Sequence, residues 1–107
     1  MFGKLDEVVK RHEELTALLG TIEVASDTKK MIEYNKALNE ITPIVEKYNE
    51  YKSYKEDLDF IKENIKSEKD HEMKAMMQEE MAEIEEKLPD LENELRILLL
   101  PKDPNEW

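Results

Sequence analysis

The chain has 107 residues, 40% of them charged and 39% hydrophobic, with 27 acidic side chains against 16 basic ones and no cysteine. This length allows one domain at most, too little for doubly wound or barrel folds that enclose a dinucleotide. The net charge of −11 argues against DNA binding by counterion release, and the lack of cysteine excludes disulfides and thiolate metal sites. No apolar signal segment or run of about 20 apolar residues is visible, so we expect a cytoplasmic protein with no membrane partner.

The first predicted helix has apolar or weakly polar residues at alternating spacings of three and four, which places them on one helical face. These positions are Leu5, Val8, His12, Leu15 and Leu19. Gly20 is a suitable C-terminal stop. Residues 21–27 predict a short connection in which Ser26 and Asp27 compete as the N-cap of the next helix.

The second predicted helix begins near Thr28 and extends to about Lys66. At about 1.5 Å per residue, its roughly 39 residues would span nearly 60 Å, a length typical of a coiled-coil arm. Its apolar stripe consists of Met31, Tyr34, Leu38, Ile41, Val45, Tyr48, Tyr51, Tyr54, Leu58, Ile61 and Ile65. Pro43, after Thr42, removes one backbone hydrogen bond and predicts a kink or a break. The unbroken register on both sides favours a kink.

The third predicted helix follows Ser67, where the sequence through Asp70 is a loose capping box. Its heptad positions alternate strictly between spacings of four and three: Met77, Met81, Ile84, Leu88, Leu91, Leu95 and Leu98. A period of 3.5 residues predicts left-handed supercoiling against a partner helix. Pro89 lies inside the pattern and is expected to bend the preceding turn.

These three apolar stripes predict an all-α fold. We expect an antiparallel helical hairpin, or coiled coil, of the two long helices, with the shorter N-terminal helix packed alongside as a three-helix bundle. The sequence has two glycines and few alternating β-branched residues, so no segment predicts a β-sheet.

Acidic residues are concentrated in the third helix. Residues 67–107 carry 13 acids and five bases, and residues 79–94 carry eight acids with Lys87 as the single base. A solvated face is the simpler interpretation, and a docking surface for a basic partner is the alternative. Soft packing is the simpler interpretation of the methionines near the start of this helix, and a contact surface that includes Met76 is the alternative.

No constellation of residues predicts catalysis or metal binding. His12 lies on an apolar stripe and His71 at a helix start, and neither has a second ligand at helical spacing. Paired carboxylates at helical spacing, Glu79 with Glu83 or Glu80 with Glu83, lack the Glu-x-x-His partners of di-iron bundles. We therefore predict no catalytic residue, cofactor or metal in this segment.

The C-terminal run is not explained by helix packing, because an apolar turn is followed by two prolines. Its residues are Leu98, Leu99, Leu100, Pro101, Lys102, Asp103, Pro104 and Asn105. With it come Met1-Phe2, Lys4-Leu5, Glu13-Glu14-Leu15, Leu18-Leu19-Gly20, Ser26-Asp27, Pro43-Ile44-Val45-Glu46, Tyr48 and Glu72-Met73-Lys74-Ala75-Met76. Together these resemble the N-terminal helical domain of bacterial class I peptide chain release factors. The junction resembles the type that reads UAA and UAG, whereas Pro89 and Glu106-Trp107 depart from the family pattern.

The resemblance implies that residues 1–100 are the N-terminal α-helical domain and residues 101–107 the start of a linker. The codon-reading and catalytic domains of the family, with the Gly-Gly-Gln loop that promotes peptidyl-tRNA hydrolysis, lie beyond this segment. The family's first domain is a non-catalytic arm that reaches the GTPase-associated region at the ribosomal stalk base, where rRNA and protein are the partners. It is also linked to the class II release-factor GTPase and to the glutamine methyltransferase of release factors.

Within that expectation, the lysines of the second helix are the candidate ribosome-facing residues: Lys47, Lys52 and Lys55. The competing hypothesis is a free-standing acidic coiled-coil adaptor or chaperone-like protein that binds its partners through the heptad positions.

Overall fold

The structure, a computed structural model, describes residues 1–101, and these form four α-helices without a strand. The helices are α1 (Phe2–Leu19), α2 (Ile22–Ala25), α3 (Thr28–Asn64) and α4 (His71–Leu98). The all-α prediction is confirmed. The stretch predicted as a plain connection contains the single-turn helix α2, because the Thr21 side chain accepts a hydrogen bond from the backbone of Val24. Among these helices none is long and apolar enough to cross a membrane.

The chain divides into two compact units, residues 1–48 and 49–107. In the first unit the predicted stripe of α1 is confirmed, since Leu5 and Leu15 are fully buried. Val24 from α2 and Val45 and Tyr48 from α3 are also buried. The unit is therefore a small core in which α1 packs along the first part of α3.

The two helix boundaries near α2 follow from local hydrogen bonds. Gly20 ends α1 in a right-handed conformation with φ of −84°, so its role does not depend on a left-handed backbone. Asp27 caps α3, because its Oδ1 accepts a 3.2 Å hydrogen bond from the Lys30 N–H. Ser26 instead donates to the Ile22 carbonyl at 2.7 Å. This decides the choice between the two N-cap candidates.

Helix α3 runs through Pro43 without a break and is 37 residues long. Pro43 is exposed, so its ring lies on the solvent side of the helix. The preceding Thr42 hydroxyl donates to the Leu38 carbonyl at 2.7 Å. The register of the apolar stripe is thus maintained on both sides of the proline, as the sequence predicts.

In the second unit, residues 49–64 of α3 and helix α4 form an antiparallel pair. The pairs Tyr51 with Glu92 and Lys62 with Glu85 show the opposite directions of the two helices. The buried residues are Tyr51, Leu58, Ile61, Ile84, Leu88, Leu91 and Leu95. Four of the seven heptad positions of α4 are therefore buried, while Met77 and Met81 are half-buried and Leu98 is exposed.

The N-cap of the third helix is not Ser67, the first residue of the capping box that the sequence suggested. The N-cap of α4 is Asp70, whose Oδ1 accepts a 3.0 Å hydrogen bond from the Glu72 N–H. The Ser67 hydroxyl points the other way and donates to the Asn64 carbonyl at 3.1 Å, so it serves the end of α3. Helix α4 then continues through Pro89 to Leu98.

Candidate interaction surface

Two buried tyrosines of α3, one in each unit, donate hydrogen bonds to carboxylates. In the first unit the Tyr48 hydroxyl donates to Asp6 Oδ1 at 2.9 Å, and its ring stacks on Phe2 with centroids 6.4 Å apart. In the second unit the Tyr51 hydroxyl donates to Glu92 Oε1 at 2.8 Å. The sequence placed both tyrosines on the apolar stripe but did not reveal their carboxylate partners, which lie about 40 residues away in the chain.

The environment of Tyr48 changes its acidity. Burial raises the pKa of the Tyr48 phenol above its ordinary value of 10.0, and the hydrogen bond to Asp6 and that carboxylate's negative charge raise it further. A phenol with a raised pKa stays protonated at neutral pH and remains a donor. Tyr48 is therefore a structural contact between α1 and α3 rather than an acid or a nucleophile.

The two histidines have different settings. His12 is half-buried, and its Nε2 lies 3.4 Å from the Thr42 hydroxyl, which itself donates to a backbone carbonyl. This supports the structural interpretation of His12. His71 is exposed at the first position of α4. Within residues 1–101 no group of three potential ligands is arranged to hold a metal ion.

The three candidate ribosome-facing lysines all lie on α3. Lys52 and Lys55 are exposed in the second unit and, three residues apart, share one helical face. Lys47 is half-buried in the first unit. The structure thus presents Lys52 and Lys55 as a pair of neighbouring cations, and Lys47 as a separate position.

The acidic run of α4 is mostly solvated. Seven of its eight acids are exposed, and Glu92 is half-buried against Tyr51. Glu85 lies 4.0 Å from Lys62 Nζ, but both side chains are about half exposed, so this ion pair contributes little to stability. Lys87 lies over the Tyr54 ring, 5.1 Å from its centroid. The run therefore presents an exposed negative surface along α4.

The junction motif begins where helix α4 ends. Leu98 is the last helical residue, and the Leu99 and Leu100 N–H groups close the final turn on the Leu95 and Ile97 carbonyls at 3.0 and 3.1 Å. Pro101 follows outside the helix. The remaining motif residues, Lys102, Asp103, Pro104 and Asn105, lie outside the described residues.

A family model described as the PCRF domain matches residues 8–107. The chain belongs to the PCRF domain family. This family match confirms the resemblance to bacterial release factors that the sequence motifs indicated.

The curated relatives of this PCRF domain are named peptide chain release factor 1. The chain is 63% identical over 106 residues to that of Fusobacterium nucleatum subsp. nucleatum, covering 99% of the chain and 29% of the relative. It is 43% identical to that of Geobacillus sp. (strain WCH70) and 42% to that of Staphylococcus carnosus, covering 99% of the chain and 30% of each relative. The chain thus spans about 30% of the length of these relatives. No solved structure matches it.

Proposed function

We propose that this PCRF domain is the N-terminal, non-catalytic arm of a cytoplasmic release factor that directs translation termination at UAA and UAG. The observation that carries the proposal is the similarity to peptide chain release factor 1 over 99% of the chain. In this proposal residues 1–100 form the arm and residues 101–107 begin the linker. The Gly-Gly-Gln loop and the codon-reading tripeptide then belong to the part of the relatives that this chain does not cover, so the arm alone hydrolyses nothing.

In this proposal the arm contacts rRNA and protein at the GTPase-associated region of the ribosome. The exposed pair Lys52 and Lys55 supports such a contact, since phosphate groups are bound through neighbouring cations. The exposed acids of α4 would be repelled by rRNA, so the lysine-bearing face of α3 is the face we assign to it. Lys47, in the first unit, is a separate candidate for such a contact.

The class II release-factor GTPase and the glutamine methyltransferase of release factors are the further partners we propose. Both are proteins that act on the assembled factor, one in its recycling and the other on its Gly-Gly-Gln glutamine. An arm built from packed helices suits this role, because it presents fixed side chains to a protein without needing a catalytic group of its own.

The adaptor alternative has no comparable support. It requires the heptad positions of α4 to be open to a partner, but Ile84, Leu88 and Leu95 are buried within the second unit. At these positions α4 is packed against α3, so they are not open to a partner.

A domain exchange tests the proposed function. The N-terminal segment of the Fusobacterium nucleatum factor is replaced by this chain, and peptide release is measured on ribosomes programmed with UAA, UAG and UGA. The matched control lacks the segment altogether. We expect the exchanged factor to release peptide at UAA and UAG at a rate near that of the parent, and the 107-residue chain alone to release none. Release no better than that of the shortened control would contradict the proposal.

A further inference from the structure

The second unit carries a groove between α3 and α4 that is lined by apolar and acidic side chains. The groove has a volume of about 260 Å³ and is lined by Asp57, Phe60, Ile61, Met73, Met77 and Glu80. We refer to these six residues as the Met-Phe groove. Its α3 residues are spaced i, i+3 and i+4, and its α4 residues i, i+4 and i+7, so each set lies on one helical face.

Three apolar side chains of this region, those of Phe60, Met73 and Met76, are exposed to water. Phe60 is 63% exposed, although it is adjacent to the buried Ile61, and Met73 is 44% exposed. Met76, which is 63% exposed, lines a second depression of about 280 Å³ together with Glu79, Glu80 and Glu83. Glu80 lines both depressions, so they adjoin at this residue. Clustered exposed apolar groups of this kind mark interaction sites more often than scattered ones.

Every charged residue that lines the two depressions is acidic: Asp57, Glu79, Glu80 and Glu83. A nucleic acid would meet like charge here, and a second copy of the chain would bring the same acids to the contact. A groove of about 260 Å³ is also smaller than the roughly 300 to 1,000 Å³ of pockets that enclose small molecules. The surface therefore fits a protein partner that supplies one apolar anchor and surrounding positive charge.

We propose that the Met-Phe groove binds a basic amphipathic helix of a partner protein. An apolar side chain of that helix enters between Phe60 and Met73, and its lysines or arginines pair with the acidic rim. Methionine side chains adapt to differently shaped anchors, which suits Met73, Met76 and Met77 to such a surface. The inference goes beyond the termination role and does not depend on it, because it concerns only the second unit's own side chains.

Methionine methyl resonances provide a direct test with the 107-residue chain. The probe is a synthetic helical peptide with leucines spaced i, i+3, i+4 and i+7 and with lysine or arginine at the other positions. We expect the methyl signals of Met73, Met76 and Met77 to shift on titration, while those of Met1 and Met31, in the first unit, stay in place. A peptide of the same composition with its leucines scattered is the control for nonspecific attraction to the acidic chain, and it should bind at least about tenfold more weakly.

Matched variants locate the contact. Phe60→Ala and Glu80→Lys should each raise the Kd for the peptide about tenfold, whereas Ile32→Ala and Glu33→Lys should change it less than about twofold. Ile32 is a fair control, because it is 66% exposed on the same helix as Phe60. All four side chains are exposed, so helicity by circular dichroism should be retained. The proposal is overturned if the peptide does not bind, if the Met1 or Met31 signal shifts instead, or if the groove variants bind like wild type. It is also overturned if sedimentation shows that the free chain dimerises through Phe60.

Discussion

The hydroxyl of Tyr48 on α3 lies 2.9 Å from Oδ1 of Asp6 on α1, and this hydrogen bond joins the two helices of the first unit. The Tyr48 side chain is buried, at 6% exposure, so water does not readily replace the carboxylate as its partner. Removing the hydroxyl leaves Asp6 without this donor but keeps the ring and its stacking on Phe2. The pair is therefore a contact whose contribution can be measured with a conservative change.

Tyr48→Phe should lower the free energy of unfolding by about 1 kcal/mol at pH 7, the usual net value of one hydrogen bond. Because the folded-state pKa of Tyr48 is raised above 10.0, the folded chain holds this proton more tightly than the unfolded chain. The stabilisation is thus complete below pH 10.0 and is lost as the pH rises through the folded-state pKa. Urea unfolding of both proteins from neutral to alkaline pH checks this. A difference between them that stays constant or widens above pH 10 contradicts the assignment.

Leu95→Ala should destabilise the second unit by about 2 to 5 kcal/mol, because it removes a fully buried side chain and leaves a cavity. The matched control is Leu100→Ala, whose side chain is 62% exposed and should cost less than about 0.5 kcal/mol. Urea unfolding followed by helicity gives both values. Equal effects of the two changes would mean that the heptad positions of α4 do not form the core.

Pro43→Ala should stabilise the chain. Proline inside a helix costs about 3 kcal/mol, and its restriction of the unfolded state returns about 1 kcal/mol, so a gain of about 2 kcal/mol is expected. The position is exposed, so alanine removes no core contact. The control Pro101→Ala lies outside the helices and should have little effect. A loss of stability in the Pro43 variant would show that α3 does not run through this position as one helix.

Asp70→Ala should cost about 1 kcal/mol, the usual value of an N-cap, since Asp70 accepts the Glu72 N–H. Ser67→Ala should cost less, because the Ser67 hydroxyl donates to the exposed end of α3. Thermal unfolding of the two variants side by side checks the order. The opposite order would restore Ser67 as the cap that the sequence suggested.

The helices were predictable because their periodicity is strong. Apolar residues recur every three or four positions in α1, α3 and α4, and only a helix places such residues on one face. Leu5, Leu15 and Leu95, which belong to these patterns, are fully buried. The cap of α4 was not predictable to the residue. Ser67 and Asp70 both suit an N-cap by type, and only the direction of their hydrogen bonds distinguishes them.

The candidate surfaces were harder to predict from the sequence than the helices were. Tertiary neighbours such as Asp6 for Tyr48 and Glu92 for Tyr51 have no signal at short sequence separation. The Met-Phe groove needs Phe60 from one helix and Met73 from another, so its existence depends on how the hairpin aligns. The sequence did place Met76 and the acidic run in that region, but not Phe60. The family, by contrast, was identifiable from the junction motif, because a string with two prolines is specific in a way that heptads are not.

We propose that this domain contacts the ribosome through lysines of α3, and charge reversal in the exchanged factor tests that contact. Two test variants are made in the exchanged factor: one carries Lys52→Glu with Lys55→Glu, and the other carries Lys47→Glu. The control variant carries Lys29→Glu and Lys30→Glu, which add the same charge in the first turn of α3. Peptide release on UAA-programmed ribosomes is measured over a range of factor concentrations. We expect reversal of Lys52 and Lys55 to raise the half-saturating concentration about fivefold without changing the maximal rate, while the control variant changes neither value. A lower maximal rate at unchanged half-saturation, or no effect on either, would contradict it.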